Sequence, residues 1–418
     1  MRQLLIYLLL FHSVAVIAAD EGEHRKLSLE QAISYVLEHN PALKAAGYES
    51  RAAAARIRTA GLTPALHTSI EFENFGGDGI LSGSDGLEST LSLSKVLELG
   101  DKARLRGDVA RHEALVLHNE QDAERLDILA DTAKRFIEVV SNQERLAIAE
   151  KSLELVQRTH EVVKQRVEAG KSANAELRRA SISLAKMELE MHHAMHTLET
   201  SRLKLASLWG ETEVHFATAS ADLFTITSPA AFDTLVQLLD SNPDLVRFAT
   251  EKRLTETRIQ LARTRNRANI EIAGGLRHFN VTDNTGLVVS LDIPFGNRSR
   301  AAPKIEEAEY LDLRNPYDHE QRRLELYTTL FEVHQEIKHE MDAVTILRNT
   351  IIPLAEEALR DYEKGYTAGR YSLLELNVAQ RTLLDSRLEL VMAAADYHRY
   401  RIEIDRLTGA GLMTGAKQ

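Results

Sequence analysis

From Lys102 to Val167 the chain runs for 66 residues without a proline and with one glycine, Gly107. No ordinary globular helix is that long. A continuous helix over this span would reach about 100 Å at 1.5 Å per residue. Within it Leu146, Ala149, Leu153, Val156, His160, Val163 and Val167 recur at alternating steps of three and four. Leu177, Ala180, Leu184, Met187, Met191, Ala194, Leu198, Ser201, Leu205 and Leu208 continue that spacing past a break near Gly170. Such a seam is narrow, and rods carrying it pack side by side as coiled coils. Composition agrees: 6% of residues are aromatic, 27% are charged and there are 8 Pro. No Cys is present, which removes disulfides and thiolate chemistry. The balance of 51 basic against 62 acidic residues argues against a general nucleic-acid binder.

The chain repeats itself. Asn40-Pro41-Ala42-Leu43 returns as Asn242-Pro243-Asp244-Leu245, Gly86 as Gly286, Ala169-Gly170 as Ala368-Gly369, and Leu208-Trp209-Gly210 as Leu407-Thr408-Gly409. Adding 199 to the second seam lands on Leu376, Ala379, Leu383, Ser386, Leu390, Ala393, Tyr397, Tyr400, Ile404 and Leu407. The order predicted for each half is short helix, helix, strand, strand, very long helix, turn, long helix. Residues 1–19 read as a secretory signal, with Arg2, an apolar run and the small residues Ala18-Ala19 before Asp20. The first repeat is then 20–210, with a β-hairpin near 65–97 and a helical hairpin near 100–209. Residues 211–229 form a linker or capping segment. The second repeat is 230–418, with a β-hairpin near 269–295 and a helical hairpin near 320–409.

Alternation marks the strands. Leu66, Thr68, Ile70 and Phe72 share one face, and Leu287, Val289, Leu291, Ile293 and Phe295 another. The Gly-rich stretches Gly76–Gly79 and Asp283–Gly286 are expected as hairpin turns. Each strand has the length of a tilted transmembrane β-strand. Four strands leave two open edges, which lipid does not tolerate, so in a membrane the chain must share a barrel with copies of itself. Two chains would give eight strands, three would give twelve. A soluble β-patch above a coiled coil is the other reading.

The doubled halves, Asn-Pro before the second helix, paired strands ahead of long helices and the Ala-Gly turns resemble the TolC family of outer-membrane efflux proteins. The most specific match is Tyr362 to Leu376, read as YEKGYTAGRYSLLEL, followed by Ala379-Gln380 and Leu407-Thr408-Gly409. The short carboxy tail and Asp292-Ile293-Pro294-Phe295-Gly296-Asn297-Arg298 look like the heavy-metal (cobalt–zinc–cadmium) branch. The resemblance implies a mainly α fold with a small β part. It implies a homotrimer with a shared twelve-strand barrel in outer-membrane lipid, four strands per chain, continued by a periplasmic α-helical barrel. It also implies a periplasmic adaptor and an inner-membrane pump of the RND type as partners, with divalent metal cations as the exported cargo. Two departures stand out. Many relatives carry a lipidated amino-terminal Cys, absent here. Pro303 and Pro316 are expected to break or kink the start of the second long helix, with continuous helix from about Glu320.

The same resemblance places Ala169, Gly170, Lys171, Ser172 and Ala368, Gly369, Arg370, Tyr371 at the periplasmic tips that meet the adaptor. It places Glu375, with Glu176 as its counterpart, at the pore entrance, where three copies of a carboxylate would attract cations and resist closure. The family's second acidic position is Val378 here and Arg179 in the other half, leaving one ring. As plain coiled-coil chemistry, the glycines end helices and the glutamates sit on a solvated face. His192 and His196 have the i, i+4 spacing of a metal clasp, but nothing nearby completes a ligand set, so no metal site is assigned. No phosphate loop, nucleophile elbow or zinc-protease motif is present, so neither an enzyme nor a cofactor is expected. A duct for drugs or other small molecules, a type I secretion duct, and a periplasmic coiled-coil adaptor remain the competing readings.

Overall fold

The computed structural model describes residues 26–409. The signal segment 1–19 lies outside the described residues. In chain order the elements are β1 (Lys26–Leu27), α1 (Leu29–His39), α2 (Pro41–Ala60), β2 (Leu66–Glu73), β3 (Glu88–Glu98), α3 (Lys102–Glu168), α4 (Asn174–Ala206) and β4 (Thr218–Ala219). The second half follows as α5 (Phe232–Leu239), α6 (Pro243–Thr264), β5 (Asn269–Phe279), β6 (Asn284–Asp292), α7 (Asn297–Ile346), α8 (Ile352–Thr367) and α9 (Leu373–Thr408). α3 is one unbroken rod of 67 residues. Among the described residues no helix is long and apolar enough to cross a membrane.

Local chemistry explains where the elements begin, and why the Asn-Pro landmark recurs. Pro41 and Pro243 each occupy the first helical turn, where the missing N–H costs nothing. Asn40 Oδ1 accepts from the N–H groups of Ala42 and Leu43 at 2.9 and 3.1 Å, and its Nδ2 donates to the Leu208 carbonyl at 2.7 Å. Asn242 repeats the arrangement, accepting from Asp244 N–H at 2.8 Å and donating to the Leu407 carbonyl at 2.7 Å. Each asparagine thus caps one helix and ties it to the end of the last helix of its own half.

The seam predicted for the last helix is largely buried: Leu376, Ala379, Leu383, Ser386, Ala393, Tyr397, Ile404 and Leu407 are all below 9% exposed. The apolar interior is strung along the rods rather than gathered in one ball. One cluster joins α1, α3, α4 and α9 around Phe136, Leu129 and Leu205. A second joins α5, α7 and α9 around Leu330, Ile337 and Tyr397. A third, near the far end, holds Val163, Leu359, Tyr366, Leu373 and Leu376. The segment after α4 is more than a tether. Thr218–Ala219 pairs in parallel with Lys26–Leu27, and Phe216, Ala219 and Leu223 enter the first cluster.

β2, β3, β5 and β6 form one antiparallel sheet in the order β2-β3-β5-β6, so the two hairpins of the duplication pair through β3 and β5. β2 and β6 are its open edges. All four helix junctions lie at one end of the sheet and both hairpin loops at the other. The second hairpin turns at Asn280–Asp283, earlier than the Gly-rich run suggested. Asp283 takes the left-handed conformation (φ 54°), while Asn284, Thr285 and Gly286 belong to β6, which ends at Asp292.

One expectation fails. Pro303 and Pro316 lie inside a continuous α7 that begins at Asn297, not near Glu320. Both rings are on the exposed side of the helix, with Ala301 and Asn315 buried beside them. Each proline removes one main-chain bond, at a cost of about 3 kcal/mol in an isolated helix. Contacts with α6 hold the helix nonetheless: Thr255 donates to Asp312 at 2.6 Å and Arg263 to Glu309 at 3.0 Å. The irregularity falls lower, in a π-helical turn over Leu347–Ile351. There the Ile352 N–H bonds the Leu347 carbonyl five residues back, just before Pro353, which has no N–H to donate.

At the middle of the rods α3, α6, α7 and α9 meet in an ionic cluster. Asp244 Oδ2 accepts from Arg322 at 2.8 Å and from Arg406 at 2.9 Å, and Arg406 also reaches Asp127 at 2.6 Å. Burial disfavours the Asp244 charge, but the two guanidiniums prevail and hold its carboxyl below the ordinary carboxylate range. A lowered carboxyl contributes stability above its unfolded pKa of about 3.9 and loses it as pH falls through the folded value. Asp244→Asn is therefore expected to lower the thermal unfolding midpoint at pH 7. The gap to the unaltered protein should close as pH drops below about 4. Thermal melts of both proteins from pH 3 to 8 check this.

Candidate functional site

The two long hairpins reverse at Ala169–Ala173 and Ala368–Ser372, and the two turns are built alike. Gly170 and Gly369 adopt φ of +70° and +76°, a region that costs other residues about 1 kcal/mol or more. In the first turn Gly170 N–H donates to Val167 O at 2.9 Å and Lys171 N–H to Arg166 O at 2.8 Å. In the second, Gly369 N–H donates to Tyr366 O at 3.0 Å and Arg370 N–H to Gly365 O at 2.8 Å. This pair of bonds is the Schellman closure, and it satisfies carbonyls that a helix end otherwise leaves open. Neither glycine is crowded: a Cβ at Gly170 would meet nothing within 4 Å. The demand is purely conformational.

The fold brings the two turns into contact. Arg166, in the last turn of α3, sends Nη1 to the carbonyls of Tyr366 and Thr367 at 3.1 and 2.9 Å. Its Nε donates to Ser172 Oγ at 3.3 Å, and its guanidinium lies 5.0 Å from the centre of the Tyr366 ring. Tyr366 is 3% exposed and points its hydroxyl at Glu176, with Oη to Oε2 at 3.5 Å. Burial first, then the neighbouring Glu176 charge, push the Tyr366 phenol up, so it stays a donor. Ser172 and Gly369, expected at the tips, and Glu176, expected at the pore entrance, thus lie around one arginine and one tyrosine. Lys171 and Arg370 are exposed, and Tyr371 is exposed on one side only.

Arg166 and Tyr366 were not singled out from the sequence, although a signal existed. Under the 199-residue offset Arg166 corresponds to Gly365, and Ser172 to Tyr371. The Tyr371 ring packs so closely on Gly365 that a Cβ there would lie 2.1 Å from it. It also stands 4.8 Å from the Tyr362 ring. A long residue opposite a small one in the first half is exchanged for a small residue opposite a large one in the second. The exchange frees Arg166 to reach across.

Glu375 has a local partner. Its carboxylate accepts from the Ser372 N–H and hydroxyl, both at 2.8 Å, while Ser372 Oγ accepts from the Glu375 N–H at 3.3 Å. This is a capping box at the start of α9. The backbone N–H of Ser372, then its hydroxyl, hold the Glu375 carboxyl below the ordinary range, so it is ionised at neutral pH. Glu176 occupies the same third position in α4, but Ala173 stands where Ser372 would be, and the box is absent. Glu176 faces Tyr366 instead. His192, His193 and His196 are exposed on α4, and His196 Nδ1 lies 3.3 Å from Glu199. Among the described residues no three His, Asp or Glu side chains converge to hold a metal ion.

At the other end, the sheet has two chemically distinct faces. Register places Ile70 beside Leu91, Leu91 beside Leu276 and Leu276 beside Leu287. Leu66, Phe72, Leu93, Ile272, Val289 and Leu291 share that face. All are exposed, Leu287 at 85% and Val289 at 80%. The opposite face carries His67, Ser69, Glu71, Thr90, Ser92, Arg277, Ser290 and Asp292. Arg277 bridges Glu73 at 2.8 Å and Glu88 at 3.0 Å there. An exposed apolar band of this extent marks contact with lipid or another apolar surface.

The family described as Outer membrane efflux protein matches residues 32–211 and 234–410, one segment in each half. The cobalt-zinc-cadmium resistance protein CzcC of Cupriavidus metallidurans is 25% identical over 328 residues, 77% of each chain. Among solved structures the transmembrane channel CusC superposes with a TM-score of 0.77 at 19% identity, covering 92% of both chains. The outer membrane channel MtrE of Neisseria gonorrhoeae does so at 0.73 and 18%, covering 92% of this chain and 89% of that one. A match through both halves, a four-stranded sheet with one apolar face and rods reaching from one end of it lead to a single assignment: the chain belongs to the outer membrane efflux protein family, as an outer-membrane channel that extends into the periplasm.

Proposed function

We propose that three copies close this sheet into a twelve-strand barrel and form the passive exit duct of a tripartite pump for divalent heavy-metal cations. The observation that carries it is the sheet itself, apolar on one face, polar on the other, and unpaired along β2 and β6. In lipid each unpaired backbone group costs several kcal/mol, and only closure with further copies removes that cost. The polar face then lines the lumen and α3, α4, α7, α8 and α9 carry the duct across the periplasm. CzcC, named for cobalt, zinc and cadmium resistance, supports metal cations as cargo. Energy comes from an inner-membrane pump. Cells lacking the protein should become sensitive to cobalt, zinc or cadmium salts while keeping their tolerance of dyes. Dye sensitivity alone would favour the drug-export reading, and recovery in the inner-membrane or soluble fraction would favour the adaptor reading.

The tips are the docking surface for a periplasmic adaptor. Ala169, Gly170, Lys171 and Ser172 sit beside Ala368, Gly369, Arg370 and Tyr371, with the backbone held by paired Schellman closures. The bonds from Arg166 to Tyr366 and Thr367 fasten one hairpin to the other, so an opening that parts them must break these bonds. Replacing both glycines by valine imposes a conformation that β-branched residues resist, and distorts both turns at once. Gly170→Val with Gly369→Val should abolish metal resistance while trimers persist in crosslinking; normal resistance would refute docking at the tips.

Glu375 and Glu176 set negative charge at the entrance, where three copies attract cations. Glu375→Gln is a clean test, because Gln at the third position still completes a capping box while the charge is gone. Planar-bilayer recordings should show reduced cation preference for this variant. An unchanged preference would reduce Glu375 to a helix cap.

A further inference from the structure

The net charge of the chain is −11, yet its basic residues crowd where the helices meet the sheet. Four segments, 56–65, 99–108, 263–268 and 293–304, enter or leave the sheet at its helical end and hold eleven Lys or Arg against two Asp. The two acids are engaged: Asp101 and Asp108 pair with Arg104 at 3.3 and 2.9 Å. Arg106 is spent on Glu98 at 2.6 Å and on the carbonyls of Ala60 and Leu62, which fastens the joint. Lys102 is spent on the Arg267 carbonyl and Asn269. Arg263 pairs with Glu309 at 3.0 Å and Lys304 with Glu307 at 2.7 Å. That leaves Arg56, Arg58, Arg265, Arg267, Arg298 and Arg300, all exposed, with no carboxylate partner among the described residues.

Intramolecular energetics do not account for this placement. The first turns of α3 and α7 contain no acid but carry Lys102 with Arg104, and Arg298 with Arg300. Cations at a helix start oppose the helix dipole. A negative partner from outside the chain turns the cost into a gain. Its nature follows from the neighbours. Interleaved with the arginines are exposed apolar side chains, Leu62 at 66%, Leu99 at 41% and Phe295 at 86%, which continue the apolar band of the sheet. Lys95 lies on that same face, level with Leu66, and bends its amine to the Pro64 carbonyl at 2.7 Å, toward the helical end. Apolar and basic residues mixed at the rim of an apolar band are the pattern of a bilayer interface, where long cationic side chains reach for phosphate.

We infer that this collar binds the anionic phospholipid headgroups of the periplasm-facing leaflet, with Arg265, Arg267, Arg298 and Arg300 as its principal contacts. The inference rests on the sheet crossing the outer membrane. The collar then fixes the depth at which the barrel sits and anchors it by phosphate contacts.

The purified mature trimer is compared with Arg265→Gln/Arg267→Gln/Arg298→Gln/Arg300→Gln and with Arg178→Gln/Arg179→Gln, a control on α4 far from the sheet. Flotation with phosphatidylcholine vesicles reads insertion. Native mass spectrometry from mixed phosphatidylglycerol and phosphatidylcholine reads lipid retention. All three proteins should float. The unaltered protein and the control should retain phosphatidylglycerol preferentially, and the quadruple variant should lose that preference about fivefold or more, since each arginine near an anionic surface contributes a measurable share. The preference of the unaltered protein should also fall as salt rises. A floating protein that holds both lipids equally, or a quadruple variant with undiminished preference, would overturn the collar alone. A shift in ion selectivity with unchanged lipid retention would overturn it by assigning the arginines to the lumen. Failure of the unaltered protein to float would overturn the channel reading and the collar with it.

Discussion

The architecture depends on backbone hydrogen bonding that the single chain cannot complete. β3 and β5 are paired on both sides, whereas β2 and β6 each leave one row of N–H and C=O groups open. In water such edges hydrate; in hydrocarbon they have no partner. The exposed apolar face favours lipid over water, and lipid leaves no favourable state except closure with further strands. The rods inherit the consequence. Once the barrel is closed, every helix leaving it emerges on a circle, and the side-by-side seams of α3, α4, α7, α8 and α9 continue that circle away from the membrane.

Duplication supplies the parts, and small departures from it supply the ties between halves. The Asn-Pro caps are kept in both halves because each performs two tasks, closing a helix start and holding the end of another helix. Elsewhere the halves diverge at positions where contact between them is made. Ala42 in the first half becomes Asp244 in the second, and only the latter holds Arg406, which crosses to Asp127 of the first half. Arg166 replaces the glycine found at 365, and only Arg166 spans the two tips. The cap serine at 372 has Ala173 as its counterpart, which leaves Glu176 to meet Tyr366 while Glu375 folds back on its own helix.

What was legible in the sequence was whatever is periodic or repeated. The seam over Leu376 to Leu407 foretold which side of α9 is buried, and the alternation in Leu66 to Phe72 foretold the apolar face of β2, because both follow from helix and strand geometry alone. Contacts across the duplication were not legible. Arg166 is one of many arginines on a long helix, and its partners are 200 and 201 residues away. Pro303 and Pro316 misled because propensity describes an isolated helix, whereas contacts with α6 keep α7 helical through both. The Gly-rich run at 283–286 misled by a few residues, because Asp283 supplies the positive φ that a glycine was expected to provide.

The two halves end up mechanically unequal. α3 is a single strut with an unbroken ladder of bonds, while its counterpart is spliced at Leu347–Ile351, where the wider turn and Pro353 thin the ladder out. A bending load on the tips therefore meets resistance from one beam and compliance from the other. In the proposed trimeric barrel, flexure would concentrate in three equally spaced staves, at the height of the splice.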